Sequence, residues 1–318
     1  MGSRQFSGWG EVSTTVGRGF YALDLDQVAA HRVVPDGDAV VVGIASADIP
    51  VVLCRSERGV ELLAREPDGW SSRPVPTSIT GSSGHLEVVA DGDSLVVLGS
   101  AVVHQFRAGQ WSETPLGPPP LPLGIVPTRV PGHLLLVADE LYLGFDVGEW
   151  GGGVVALHVP TGTWRPFSGP GPGSSWCDPV TSLNQGPDGT PWVTMSQKHR
   201  GINSGAVARI HEGALHPLVK VEPVFSSHAS LGADTLPAQG FSDVAFDESG
   251  TLHVLTDFSG VFRHEGDGRW TPVTEQWPTP LAATGLRLRS GLAVVSTLAN
   301  GVLLWDLSSG DVRMVPLE

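Results

Sequence analysis

Apolar residues along the chain fall in short runs broken by turn-forming residues, with alternation inside many of the runs. The clearest stretch reads "FSDVAFDESGTLHVLTDFSGVFRHEGDGRWTPV", where "SDVAF", "TLHVLT", "GVFRHE" and "RWTPV" are separated by "DESG", "DFSG" and "GDG". Short β-rich runs bounded by Gly, Asp and Ser predict strands joined by tight turns. The order repeats in "HLEVVA", "SLVVLG", "VVHQF" and "QWSETP", and again over residues 38–76 and 281–318. An amphipathic helix would need apolar positions at three-to-four spacing over about ten residues. No such window is free of glycine or proline, so the pattern predicts an all-β chain.

A longer period overlies this one. A glycine-led turn followed by a large apolar residue and a proline-containing tail recurs in "DGWSSRPVP", "GQWSETPL", "GTWRPF" and "GRWTPV", and in weaker form in "DQVAAHRVVP", "GALHPL" and "GDVRMVPL". The marker positions are Val28, Trp70, Trp111, Trp164, Leu215, Trp270 and Val312. A period of about 40–50 residues with four strands per unit is the signature of a β-propeller blade. Seven markers predict seven four-stranded antiparallel blades in one domain spanning residues 1–318. The first unit is short enough to supply only three strands. A six-bladed ring closed by the N-terminal strands is the alternative.

The segments "DVAFDESGTLHVLTDFSGVFRHEGDGRW" and "NQGPDGTPWVTMSQ" resemble the repeats of two-component-regulator, ligand-binding-sensor propellers. Those repeats carry a D-G-x-L-W-hydrophobic-T core followed by G-hydrophobic-aromatic-R. The likeness is best over residues 178–318. It implies a propeller fold and a family that spans sensors, scaffolds and enzymes, and it transfers no functional residue.

Composition narrows the partners. The net charge is −14, and the densest basic cluster is Lys198-His199-Arg200. Phosphate backbones and anionic bilayers need clustered Lys and Arg, so neither nucleic acid nor membrane is expected as a partner. The chain start has no signal-like apolar run, and no apolar stretch approaches the roughly 18 residues of a membrane span. Two cysteines cannot build a disulfide framework. Cys54, inside "PVVLCR", reads as a small buried hydrophobe. A soluble, cytoplasmic protein is the expectation.

Strand order then sorts the loops. With strands a to d in each blade, the a–b and c–d turns share one face, and the b–c loops and d–a links share the other. "PDG", "AGQ", "PTGT" and "GDGR" are c–d turns of the first kind. "DVGEWGGG", "SQKHRGINSG" and "DFSG" read as b–c loops, and "PGPGSSWCDP" and "SHASLGADTLPAQGFSD" as d–a links. The irregular face therefore gathers Asp146, Glu149, Trp150, Trp176, Asp178, Lys198, His199, Arg200 and Asp243.

Each of these has a plain reading beside a chemical one. Asp146, Glu149, Asp178 and Asp243 supply the oxygens that calcium prefers, yet Asp is also a common turn residue. No cofactor is required, and calcium is the one cation the set suits. Trp150 and Trp176 can stack a planar ligand or fill a blade interface. His199 with Asp178 or Asp243 is the candidate acid–base pair, although a loop histidine is usually just solvated. Lys198 and Arg200 suit a carboxylate or phosphate. Glycines in both loops would let 146–153 and 196–204 meet across one cleft. The expected function is binding of a small polar or anionic molecule, or of a protein partner, on this face. The alternative is a propeller hydrolase, lyase or isomerase with an acidic and histidine site at the axial mouth.

Overall fold

The computed structural model describes residues 8–14, 17–24, 29–32, 40–45, 51–57, 59–66, 69–81, 86–117, 131–146, 148, 152–167, 178–199, 202–225, 240–256, 260–273, 283–289, 291–297 and 301–315. Among them, seven antiparallel sheets follow one another along the chain. The first has three strands, β1 (Gly8–Thr14), β2 (Gly17–Asp24) and β3 (Ala29–Arg32). The second holds β4 (Val40–Ala45), β5 (Val51–Ser56), β6 (Gly59–Glu66) and β7 (Gly69–Arg73). A one-turn helix, α1 (Thr77–Thr80), buries Ile79 on the way to the third, which holds β8 (Glu87–Asp91), β9 (Ser94–Leu98), β10 (Val102–Arg107) and β11 (Gln110–Pro115). The fourth holds β12 (His133–Val137), β13 (Glu140–Asp146), β14 (Gly152–His158) and β15 (Thr163–Pro166). The fifth holds β16 (Val180–Gln185), β17 (Pro191–His199), β18 (Ile202–His211) and β19 (Ala214–Phe225). The sixth holds β20 (Phe241–Phe246), β21 (Leu252–Thr256), β22 (Gly260–His264) and β23 (Trp270–Pro272). The seventh holds β24 (Ala283–Arg289), β25 (Leu292–Thr297), β26 (Val302–Asp306) and β27 (Val312–Val315).

Every four-stranded sheet pairs its strands in sequence order, as hairpins joined by short turns must. Neighbouring sheets touch through their first strands, from β4 against β8 to β20 against β24. The three-stranded sheet lies between the ends of this series, with β2 against β4 and β1 against β25. The result is a β-propeller with six complete four-stranded blades and a three-stranded first sheet. First strands are therefore innermost.

The core is built between sheets. Trp192 and Val207 of the fifth sheet pack with Phe241, Leu252, Val254 and Phe262 of the sixth, and similar clusters fill the other four interfaces from the second sheet to the seventh. The third to sixth sheets carry such a cluster on both faces, so their strands are nearly continuous apolar runs as well as alternating ones. Burying a Leu, Val or Phe side chain contributes about 1.5–3 kcal/mol, and these interfaces hold most of them.

The repeat markers land where the period put them. Trp70, Trp111, Trp164 and Leu215 are the second residues of β7, β11, β15 and β19, while Trp270 and Val312 open β23 and β27. Val28 lies outside the described residues. Two of the tryptophans tie their sheet to the one before it. The Trp111 indole N–H donates to the Pro74 carbonyl at 2.8 Å, and that of Trp164 donates to the Gly117 carbonyl at 3.0 Å. Burial differs among the four: Trp270 is 7 % exposed, whereas Trp70, Trp111 and Trp164 are half-buried. The preceding turns need positive φ, supplied by Gly109 at 81° and Gly162 at 66°. Cys54 is buried as expected, and burial with the nearby Glu61 charge pushes its thiol up to about 11.

One loop expectation needs correction. The segment 196–205 is not an open b–c loop, because β17 and β18 stay paired to its tip, with Lys198 opposite Asn203 and His199 opposite Ile202. Polar residues hid the hairpin, because its pairing is made by backbone groups that apolar patterning does not report.

Candidate functional site

The inner strands are not smooth. The a–b pairing skips one residue between Val41 and Gly43, Val180 and Ser182, Phe241 and Asp243, and Ala283 and Gly285. A β-bulge re-aims the side chains beside it. Recurring at equivalent places, it turns polar residues of several sheets toward one another.

Asp243 is the centre of the resulting cluster and is 3 % exposed. Its Oδ1 accepts from the Asn184 amide at 2.7 Å and from the Val244 N–H at 2.8 Å. Its Oδ2 accepts from the Leu286 N–H at 2.6 Å, and the Arg287 guanidinium stands 3.6 Å away. Arg287 also donates to the Leu286 carbonyl at 2.9 Å and to the Asn184 Oδ1 at 3.3 Å. Asn184 belongs to β16 and Arg287 to β24, two sheets apart, so the pair meets on the inner side of β20, facing the axis. Next to it the Thr181 hydroxyl donates to the Phe241 carbonyl at 2.7 Å, and Thr194 lies within hydrogen-bond distance of Thr181 and Ser182.

His133, the first residue of β12, faces the same region. Burial pushes its imidazole below the usual histidine range, while the charges of Asp243 and Asp146 pull the other way without restoring it. Burial is the larger effect, and the two carboxylates act on it only through their charge. The sequence pattern marked it only as a strand start.

The other acids are placed as follows. Asp146 closes β13 opposite Gly152, and its exposed carboxylate accepts from the Gly148 N–H at 2.7 Å. Asp178 is 5 % exposed and accepts from the Ser204 hydroxyl at 3.3 Å. A Cβ added to Gly152 would run into the Phe145 carbonyl, the Pro179 Cα and the Asp178 carbonyl, and the Ser196 N–H donates to the Pro179 carbonyl at 2.9 Å. The b–c ends of the fourth and fifth sheets thus meet at the link between them. Lys198 and His199 are described as backbone of β17 only. Glu149, Trp150, Trp176 and Arg200 lie outside the described residues. Among the described residues no group of three or more His, Cys, Asp or Glu is gathered to hold a metal ion. Asp243 does not suit one, since its oxygens already meet N–H donors.

A second feature lies at the rim, at the end bearing the a–b and c–d turns. A groove of about 800 Å³ runs between the fifth and sixth sheets. Its fifth-sheet wall includes one cross-strand row: Trp192 stands opposite Arg209, and Arg209 opposite His216. Side chains of one such row share a face. The Arg209 guanidinium carbon lies 5.9 Å from the Trp192 ring centroid, and Phe246 meets that ring edge-on with centroids 5.5 Å apart. Between Val207 and Ala208 the pairing with β19 skips Leu218, which is left 40 % exposed at the groove wall. The loop-face reasoning missed this groove, and only the hairpin register brings its residues together.

The groove's acids are already engaged. Asp247 Oδ1 accepts from the Ser249 and Thr251 N–H groups, each at 2.9 Å, and from the Ser249 hydroxyl at 2.6 Å. Burial alone would raise its carboxyl, but these bonds hold it below the usual range. Glu265 Oε1 takes two N–H groups of Arg263, at 3.0 and 2.8 Å. Arg209 has no such partner among the described residues. Asp188, bonded to the Thr190 N–H at 2.9 Å, feels Arg209 only as a more distant charge.

No protein-family model matches the sequence, and comparison with curated proteins gives no match. Solved structures do resemble it. They are propellers.

A catalytically inactive virginiamycin B lyase from Staphylococcus aureus with quinupristin shares 14% identity over 90% of this chain and 87% of that chain, at a TM-score of 0.56. YCF48 bound to D1 peptide shares 12% identity over 98% of this chain and 86% of that chain, at 0.54. The Cps50 (Swd1) β-propeller domain of Myceliophteria thermophila shares 10% identity over 93% and 92%, at 0.56. At such identities the likeness shows the fold alone. No helix among the described residues is long and apolar enough to cross a membrane.

Proposed function

We propose that this protein is a single-domain, cytoplasmic binding propeller that takes a small polar or anionic molecule, or a protein partner, at the end bearing the b–c loops and d–a links and along the axis below it. The observation that carries this reading is the Asp243 cluster. The carboxylate that a general acid–base role would need is spent on Asn184 and two backbone N–H groups. Beside it Arg287 is 65 % exposed and keeps donors for an incoming anion. Asp146, Asp178, Lys198, Arg200, Glu149, Trp150 and Trp176 are proposed to line the entrance. The likeness of the repeats to ligand-binding-sensor propellers points the same way.

Thermal-shift measurements with a panel of small dicarboxylates and sugar phosphates test this. A true ligand at about 100 times its dissociation constant stabilises by about 2.7 kcal/mol, and Arg287→Gln should abolish that gain. Equal stabilisation of wild type and variant removes the axial cluster from the reading.

One observation favours a second reading, a propeller hydrolase, lyase or isomerase. His133, its imidazole pushed down by burial and within the field of Asp243 and Asp146, is the group that would carry proton transfer in this reading. If this reading holds, activity found with any substrate should vanish in His133→Gln while the melting temperature stays close to wild type. The proposed roles of His199 and Asp178 would fall if His199→Ala and Asp178→Asn kept full activity.

A further inference from the structure

The groove between the fifth and sixth sheets lies at the rim, apart from the axial cluster, and nothing in the binding reading above depends on it. We propose that it docks an acidic peptide segment of a protein partner. In that arrangement a carboxylate sits against Arg209 and a neighbouring apolar side chain against Phe246 and Leu218.

Charge selects the partner's sign. The chain carries −14 overall, so a cation without a carboxylate in a groove is a local exception. Arg263 and Glu265 neutralise each other there, and Asp247 is bound by its own turn. Arg209 is left 5.9 Å from the Trp192 ring centroid, at the edge of cation–π range, with its donors available. A guanidinium held near an aromatic ring keeps its fork of N–H donors for a bidentate carboxylate. His216 and His264, also at the groove, add no negative charge.

Shape selects a chain rather than an enclosed small molecule. Small-ligand sites bury most of the ligand, whereas this groove follows the outer strand β19 and stays open to solvent. The skipped residue Leu218 offers an apolar contact at its wall. Pro217 beside it has no N–H to give, so the strand edge cannot form a regular ladder with an added strand at that point. Side chains, not strand addition, must therefore carry recognition.

The test is selection of a random peptide display library on the full chain, followed by fluorescence anisotropy with the synthesised consensus peptide. Enriched peptides should carry Asp or Glu next to an aliphatic or aromatic residue, and binding should weaken with added salt. Arg209→Gln should weaken it roughly tenfold or more, the effect of losing one charge-assisted pair. Arg209→Lys should weaken it less, and Leu218→Ser by a smaller factor. Both positions are exposed enough that melting temperatures should stay at the wild-type value. Arg287→Gln should bind the peptide normally, which separates this result from the fate of the axial site. The proposal is overturned if no peptide is enriched, if the enriched peptides lack acids, or if Arg209→Gln binds as tightly as wild type. Saturable binding of phenylacetate at Arg209 without peptide binding would overturn it in favour of a small carboxylate.

Discussion

Arg287 and Arg209 stand in two polar clusters of the same propeller and meet opposite surroundings. Arg287, on inner strand β24, joins a network in which a buried carboxylate binds three N–H donors from β16, β20 and β24. Arg209, on β18, faces an aromatic ring and open solvent. A buried charge must be fully partnered, because desolvation costs more than a single contact returns. A charge on the rim has no such demand and can wait for a partner from outside. Inner-strand polar groups therefore hold the sheets in register, while the rim is where an uncommitted cation can recognise something.

The largest effect should come from breaking the inner network. Asp243→Ala strands the N–H groups of Val244 and Leu286 and the Asn184 amide in a buried site, which should cost about 3–5 kcal/mol in denaturant unfolding. Asp243→Asn keeps one acceptor and should cost less. A loss no greater than that of a surface substitution would erase the distinction between the two regions.

Acidification should act next. His104, His133 and His253 are held below the usual histidine range, in each case chiefly by burial. The unfolded chain takes up protons near 6.5, where the folded chain does not. Stability is thus complete above that pH and falls as pH drops below it toward the lower folded values. Denaturant midpoints at pH 7.5 and pH 5.5 should show the fall, and His253→Gln should flatten it.

The inter-sheet tryptophan contact is smaller. Trp111→Phe keeps much of the ring and removes the hydrogen bond to Pro74, which should cost about 0.5–1.5 kcal/mol. Trp164→Phe should match it, because the bond to Gly117 is equivalent. The smallest effect is expected at the rim. Arg209→Gln should change stability by no more than about 0.5 kcal/mol, and a larger loss would make Arg209 a structural residue like Asp243.

Much of this architecture is written locally. The c–d turns need positive φ at Gly109 and Gly162, and a large side chain after such a turn opens the outer strand, so the repeat could be read from spacing alone. The hairpin through Lys198 and His199 could not, since its residues are polar and apolar patterning does not report backbone pairing. The site was legible in part. Asp243 and Asp178 stood out as acids of the d–a links, but their bonds to Asn184, Leu286 and Ser204 join segments far apart in sequence. His133 was marked only as a strand start, and Arg287 carried no local mark at all.

Sequence by itself determined the strands, their turns and the period that stacks them as blades, because those depend on neighbours along the chain. Tertiary structure alone decided which charges are spent and which are free. Asp243 is closed by donors from three sheets, and Arg209 is aligned with Trp192 and His216 by hairpin register. Commitment of a charge depends on what the fold brings within about 3 Å of it, and no spacing rule along the chain encodes that.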